Sequence, residues 1–275
     1  MWRTIASSTF YLITSDKKPI IIDTEYKRMP EGPECAIMVD DLQSLVGKKL
    51  TSVKIKSGRY VRHGAFEGYR ALNSALPAVI KYIANQGKFI YIGLAGQVGQ
   101  AEHAILISLA MTGELLTTSD KYTRIVFKMG AKQAFYLNDM RNFATITYDP
   151  DLSLLQRKLT QLGPDPIRTR ITPTMLTYSP SKKVGDVLLD QRVIAGIGNY
   201  LRSDILYTAK ISPTKRFGAL TAAEKARLAK AIMSVSRASY RYQQRHDLWS
   251  YPFVAYQRTD LKTVKMADGR RVYYR

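Results

Sequence analysis

The sequence predicts an α+β fold: an N-terminal antiparallel β-sandwich with flanking helices, followed by a helical part that ends in a small β-hairpin. Three observations predict it. Short runs rich in β-branched and apolar residues lie between residues 50 and 137 and are punctuated by glycine at 58, 87, 93, 113 and 130. Around Pro164 and Pro166 the character changes and helical signals take over. The chain closes on Thr263 to Met266 and Arg271 to Tyr274, separated by a turn at Asp268 and Gly269.

The elements follow in order. From Glu34 to Val46, apolar Ile37, Met38, Leu42, Leu45 and Val46 recur at three- and four-residue steps, which predicts an amphipathic helix. Pro30 and Pro33 suit its entry and first turn. Strands are expected at Leu50 to Ile55, Ala78 to Ala84, Lys88 to Leu94, Ala104 to Leu109, Arg124 to Lys128 and Ala134 to Leu137. Thr221 and Glu224 form a capping box, and Leu228, Ile232 and Val235 continue one face of the helix it opens. The expected organisation is a leader over 1–28 absent from the mature protein, a sandwich over 29–150, a helical domain over 151–250 and a terminal hairpin over 251–275. The leader also reads as a weak organelle-targeting segment, although Asp16, Asp23 and Glu25 argue against that.

Composition narrows the function classes. With 275 residues, 45% of them hydrophobic, the chain builds a proper core and is no disordered tail. The 42 Lys and Arg against 22 Asp and Glu leave a net charge of +20. Such an excess implies a polyanionic partner, most simply nucleic acid through counterion release; a ribosomal, histone-like or anionic-membrane protein gives the same figure. The single cysteine, Cys35, excludes an internal disulfide and any cysteine-based zinc finger. The longest apolar stretch near the middle, Ala104 to Met111, is too short to span a bilayer, so the protein is expected to be soluble.

Motifs then carry the reading. Met29-Pro30-Glu31-Gly32-Pro33-Glu34 opens the predicted helix, Gly87-Lys88 heads a strand, and Met111-Thr112-Gly113 ends one. Asp139-Met140-Arg141-Asn142-Phe143 follows, then Leu188 to Tyr207 with Gly196, Gly198 and Asn199, and finally Asp268-Gly269-Arg270-Arg271. Each has an ordinary reading alone: a helix-entry turn, a solvated edge lysine, a core methionine, a basic turn. The glycine pair is not a dinucleotide fingerprint, because it lacks a third glycine and a preceding βα unit.

Together and in this order, the motifs resemble the Fpg/Nei family of DNA glycosylases, from Met29 to about Tyr274, with Leu188 to Tyr207 resembling its helix-two-turns-helix element. The resemblance implies a catalytic domain over 29–150, a helix-two-turns-helix DNA-binding domain over 151–250 and a zincless finger over 251–275. The zincless finger points to the Nei-like (endonuclease VIII-like) branch with viral and vertebrate members. The resemblance implies a base-excision-repair DNA glycosylase with AP (β/δ-elimination) lyase activity on oxidised bases, chiefly oxidised pyrimidines and hydantoins. It implies Pro30 as Schiff-base nucleophile, Glu31 as its acid/base partner, and Lys88 and Arg270 as aids to elimination and phosphate binding. Met111, Arg141 and Phe143 fill the gap left by the extruded base, and Gly198 and Asn199 approach a phosphate. Lys182 and Lys183 extend that surface or serve only as solubilising charge, Arg271 stands next to the turn arginine, and Glu34 is a structural or proton-handling neighbour. No cofactor or metal is implied. The expected partner is damaged double-stranded or partly single-stranded DNA. The protein is expected to be a monomer without membrane association, inside the cell at DNA, in a nucleus, nucleoid or viral replication compartment.

Because Met29 precedes Pro30, the proline nitrogen is a tertiary amide in the full chain and has no usable lone pair. A non-catalytic damaged-DNA-binding protein of the same fold is therefore the alternative, and an RNA-binding or ribosome-associated basic protein the further rival. With no cysteine pair to hold a metal, a chelator is expected to leave both the thermal unfolding midpoint and the activity unchanged; a drop in either on adding EDTA contradicts this.

Overall fold

The computed structural model describes residues 29–96 and 101–275, and ahead of them the backbone of two antiparallel strands, β1 (Thr9–Ile13) and β2 (Pro19–Asp23). The rest of the expected leader lies outside the described residues.

Helix α1 (Gly32–Asp41) carries Pro33 in its first turn and is buried from Gly32 through Val39. It stops sooner than its periodicity suggests, and Gln43–Leu45 form a single 3-10 turn. Asp40 and Asp41 put negative charge at the helix end where the macrodipole disfavours it, and no basic residue offsets them in the last turn. Gly47, at φ 85°, then turns the chain away. Leu42 and Leu45 stay buried, so the apolar spacing was real although the continuous helix was not.

The sandwich follows as β3 (Lys49–Leu50), β4 (Ser52–Ile55), α2 (Arg59–Arg62), α3 (Tyr69–Ser74), β5 (Ala78–Gln86), β6 (Phe89–Leu94), β7 (His103–Ser108), β8 (Gly113–Leu116), β9 (Thr123–Met129), β10 (Gln133–Asp139) and β11 (Thr145–Asp149). One sheet runs β11-β7-β6-β5-β3 and the other β4-β9-β10-β8, with all pairings antiparallel. Strand β9 alternates buried and half-buried residues along its whole length, the period-two signature of a sheet with one face in a core. Ile90, Ile92, Ile105 and Ile107 meet Ile125, Phe127 and Phe135 in that core, where the two phenylalanine rings stack at 4.3 Å. Met38, Val39 and Leu42 of α1 join it. Strands β8 and β11 were not foreseen from the sequence, nor was helix α4 (Ser153–Gln161), which buries Leu155 against Ala104 and Leu106 on the outer sheet face.

A second core gathers α5 (Val184–Val187), α6 (Asn199–Ala209), α7 (Ala222–Arg245), β12 (Lys262–Lys265) and β13 (Arg271–Tyr274). The expected capping box opens α7: the Glu224 amide donates to Thr221 Oγ1 at 3.2 Å, and the Thr221 amide donates to Glu224 Oε2 at 2.9 Å. The terminal hairpin pairs as read, with Lys265 opposite Arg271 and Val264 opposite Val272. Val272 (0% exposed) and Met266 (5%) sink into the second core, so apolar side chains fasten the finger.

Three glycines join the halves. The Gly32 amide donates to the Gly196 carbonyl at 2.8 Å. A methyl group on Gly196, itself at φ 95°, would lie 3.1 Å from the Gly32 Cα and 3.2 Å from the Gly87 Cα, tighter than most side-chain contacts. Gly87, in the β5–β6 turn at φ 58°, is tighter: its added carbon would lie 2.3 Å from the Gly196 nitrogen. Gly87→Ala is therefore expected to cost about 3 kcal/mol through backbone clash and left-handed strain. Urea unfolding measures this, and an unchanged midpoint contradicts the junction.

Candidate nucleic-acid interface and active site

The junction delivers Glu31 to the start of α6. The amides of Gly198 and Leu201 donate to Glu31 Oε2 at 2.7 and 3.2 Å, and the Tyr200 amide donates to Oε1 at 2.9 Å. A carboxylate thus satisfies the orphan N–H groups of a helix N-terminus from a distant part of the chain. Gly198 must lack a side chain, since an added carbon would lie 2.3 Å from the Glu31 carboxyl carbon and 2.6 Å from Lys88 Nζ. Glu31 and Lys88 therefore converge on one point, as expected from neither motif alone.

Burial pushes the Glu31 carboxyl up to about 7, against the opposing pull of Lys88 and the amide donors; Glu34 adds to the rise. Glu34 is itself raised, chiefly by burial. It accepts from the Glu31 amide at 2.8 Å, Tyr200 Oη at 2.8 Å and Gln243 Nε2 at 2.5 Å, which ties α1 to α6 and α7. Gln243 Oε1 in turn accepts from the Trp249 amide at 2.6 Å.

Pro30 is buried, and Met29 beside it lines a cleft of about 620 Å³. The other walls are Met111, Thr112, Met140, Arg141, Asn199, Tyr256, Arg270, Arg271 and Tyr273. Sequence-selected residues from loops more than a hundred positions apart thus share one concave surface. Met111 follows Ala110 at φ 54°, and Asn142 at φ 59° separates Arg141 from Phe143. Asp139 pins both loops by accepting from Thr112 Oγ1 at 2.5 Å and the Ala144 amide at 2.7 Å. Arg141 Nη1 reaches Met111 Sδ at 3.3 Å, and its guanidinium lies 4.9 Å from the centre of the Phe143 ring. Phe143 (47% exposed) and Met140 (46%) stand out as large apolar side chains facing solvent. On an otherwise basic surface this is the composition of a wedge.

Not every expected residue lies where its motif suggested. The Gly198 amide is taken by Glu31, so the close approach that this glycine permits is to protein. Asn199 is only 6% exposed, and its Nδ2 donates to the Arg271 carbonyl at 3.4 Å. Lys182 and Lys183 are exposed and are not among the residues lining the cleft. Sequence reasoning missed Met140, Tyr256, Tyr273, Tyr200 and Gln243. Met140, Tyr200 and Tyr273 stood inside the motifs without being singled out, whereas Tyr256 and Gln243 carried no local signal. The hairpin Lys262–Tyr274 has no cysteine or histidine, and Cys35 is buried in the sandwich core. These residues do not fit a zinc ion.

Residues 29–146 match the family model of the formamidopyrimidine-DNA glycosylase N-terminal domain, and residues 162–246 match that of the formamidopyrimidine-DNA glycosylase H2TH domain. The chain belongs to the formamidopyrimidine-DNA glycosylase family. It is 27% identical over 226 residues to the formamidopyrimidine-DNA glycosylase of Carboxydothermus hydrogenoformans, covering 78% of this chain and 79% of the relative. With that of Bacillus cereus it shares 28% over 217 residues, 75% of this chain and 76% of the relative. Among solved structures, Lactococcus lactis Fpg (MutM) in complex with N7-benzyl-Fapy-dG DNA superposes with a TM-score of 0.72 at 22% identity, covering 90% of this chain and 98% of that one. The MutM (Fpg) protein from Thermus thermophilus gives a TM-score of 0.72 at 22% identity, with 90% and 97% covered. The family's fold is thus this chain's fold.

Glu31 has a folded-state value of about 7 against about 4.5 when unfolded, so between these pH values the native state binds more protons. Its contribution to stability is full below pH 4.5 and is lost as pH rises through 7, a change of about 3 kcal/mol. In Glu31→Gln that loss is expected to disappear. Parallel pH–stability curves for the two proteins in urea contradict the assignment.

Proposed function

We propose that the protein is a base-excision-repair DNA glycosylase with AP lyase activity on oxidised bases, working through a Schiff base on the Pro30 amine. The observation that carries this reading is the convergence of Glu31 and Lys88 at the α6 N-terminus, immediately behind a cleft lined by Met29, Arg141, Asn199 and Arg270. Residues 29–150 form the catalytic sandwich, 151–250 the helical DNA-binding part and 251–275 the finger. Damaged DNA lies in the cleft, with Arg270, Arg271, Asn199 and Lys88 on its phosphates and Lys182 and Lys183 extending the basic surface.

In a chain that starts at Pro30, the proline is a secondary amine. Amines of this kind titrate near pH ~8, so roughly a tenth is neutral at pH 7. The amine attacks the anomeric carbon, the bond to the damaged base breaks, and the departing base takes a proton from Glu31, whose raised carboxyl carries one near neutrality. The amine proton passes through the Glu31 carboxylate to the ring oxygen, the bond from the anomeric carbon to that oxygen breaks, and the resulting iminium acidifies the neighbouring sugar protons. Their removal expels the 3′ phosphate, and a further elimination expels the 5′ phosphate. Met111, Arg141 and Phe143 occupy the gap in the duplex, replacing part of the stacking lost on extrusion.

We infer a preference for oxidised pyrimidines and hydantoins. Helix α7 ends at Arg245 and β12 starts at Lys262, which leaves a short connection with little room for a loop over a purine lesion. The relatives named above are formamidopyrimidine-DNA glycosylases, and one Lactococcus lactis Fpg structure holds DNA containing an oxidised pyrimidine.

A second reading, a non-catalytic DNA-binding protein of this fold, is favoured by one observation: Met29 acylates the Pro30 nitrogen in the chain as given. Borohydride trapping on an abasic duplex separates the two. A form beginning at Pro30 is expected to give a covalent adduct and the full chain none; no adduct from the short form rules out the enzyme. Glu31→Gln in the short form is expected to bind duplex as before while base release falls by roughly two to four orders of magnitude. A matching loss of binding counts against its acid/base role.

A further inference from the structure

Arg202 heads the largest side chains with no solvent exposure among the described residues. It lies in α6, one turn from Asn199. Its Nη2 donates to Asn199 Oδ1 at 2.5 Å and to Asp268 Oδ2 at 3.2 Å, and its Nη1 donates to the Gly185 carbonyl at 3.4 Å. Its Nε is buried with no hydrogen-bond partner. Desolvation lowers its pKa, and Asp268 opposes the shift. As mere filling, a guanidinium is a poor choice, because an apolar side chain of similar volume occupies a core without stripping a charge of water. What it adds is direction.

Of its three partners, Asn199 lines the cleft and Asp268 stands directly behind Arg270, which also lines it. Asp268 is in the turn between β12 and β13. Its Oδ1 accepts from the Arg270 amide at 3.2 Å, while its Oδ2, held by Arg202, lies 3.8 Å from Arg270 Nε. The turn is closed by the Gly269 amide on the Met266 carbonyl at 2.9 Å and the Met266 amide on the Arg270 carbonyl at 3.0 Å. On the other side, the hold on Asn199 Oδ1 turns the Asn199 amide nitrogen toward the Arg271 carbonyl and the cleft. Asp268 also shares its charge between two arginines, so Arg270 is only loosely paired and is 47% exposed at its side chain. A loosely paired arginine on a cleft wall is available to a phosphate.

We propose that Arg202 is the positioning residue of the phosphate clamp: its buried guanidinium holds Asp268 behind the hairpin turn and Asn199 at the start of α6, so that Arg270 and the Asn199 amide are aimed into one cleft. In a finger with no metal ligands, this ion pair and the buried Met266 and Val272 do what a metal does for a zinc-bound hairpin. The inference rests on the proposed reading of Arg270 as a phosphate-binding group.

The test uses a chain beginning at Pro30 and a duplex carrying a tetrahydrofuran abasic analogue, with affinity read by fluorescence anisotropy over a series of salt concentrations. Asp268→Asn keeps the size of the turn residue and removes its charge; Arg202→Met keeps core volume and removes the donor fork. Thermal unfolding checks that each is folded, and Asp268→Asn carries the test if Arg202→Met does not fold. Each is expected to weaken binding about tenfold and to lower the slope of log affinity against log salt by about one, the signature of a lost phosphate contact. In an Arg270→Ala background, Asp268→Asn is expected to add nothing, because it acts through that arginine. Unchanged binding by folded Asp268→Asn, or an equal loss with and without Arg270, overturns the proposal. If Arg270→Ala alone leaves this binding, and borohydride trapping on a natural abasic duplex, intact, the phosphate role of the finger itself fails, a result distinguishable from failure of the positioning role of Arg202.

Discussion

The structure depends on one carboxylate meeting one helix. Glu31 receives the amides of Gly198, Tyr200 and Leu201, and that contact can form only because Gly32, Gly87 and Gly196 let three backbone segments touch. The union locks the sandwich to the helical half. It also buries the Glu31 carboxyl, and burial raises its pKa to about 7. The same desolvation that makes the junction costly thus keeps a proton on this carboxyl near neutrality.

Around this centre the supporting polar groups form a connected set. Glu34 links the Glu31 amide to Tyr200 and Gln243, and Gln243 passes the connection on to Trp249, whose indole nitrogen donates to Glu114 Oε1 at 2.9 Å in the sandwich. On the far side of α6, Arg202 and Asp204 fasten the finger and the segment before it; Asp204 accepts from the Val254, Ala255 and Tyr256 amides. Helix α6 therefore holds the Glu31 carboxylate at its tip and the terminal hairpin along its flank. Buried networks of this kind are rigid only when nearly every member is satisfied, and here nearly all are.

Much of this was legible in the residues. The capping box of α7 and the terminal hairpin appear where local chemistry placed them, because helix caps and two-stranded turns are decided within a few residues. The predicted strands appear with shifted ends, except that the run Leu50 to Ile55 divides at Thr51 into β3 and β4, which pair in different sheets. Helix α1 stops early because Asp40 and Asp41 oppose its dipole, an effect that apolar spacing does not register. Strand β8 is only four residues long and lacks a clear alternating run, and α4 hides behind an ordinary polar stretch. Of the site, Met111, Arg141, Asn199 and Arg270 share the cleft, whereas Tyr256 reaches it without any motif to mark it.

By itself the sequence determined the succession of sandwich, helical part and hairpin, the polyanion preference and the list of residues with chemistry to offer, since each is encoded in composition or within a few neighbouring positions. Only the tertiary structure decided that the α6 amides serve Glu31 rather than a phosphate, that Lys88 joins it, and that Arg202 is buried between Asn199 and Asp268. Those contacts link residues 167, 169 and 66 positions apart. No local periodicity specifies such pairings, because they form only after two separate cores have packed and the glycines between them have allowed the backbones to meet.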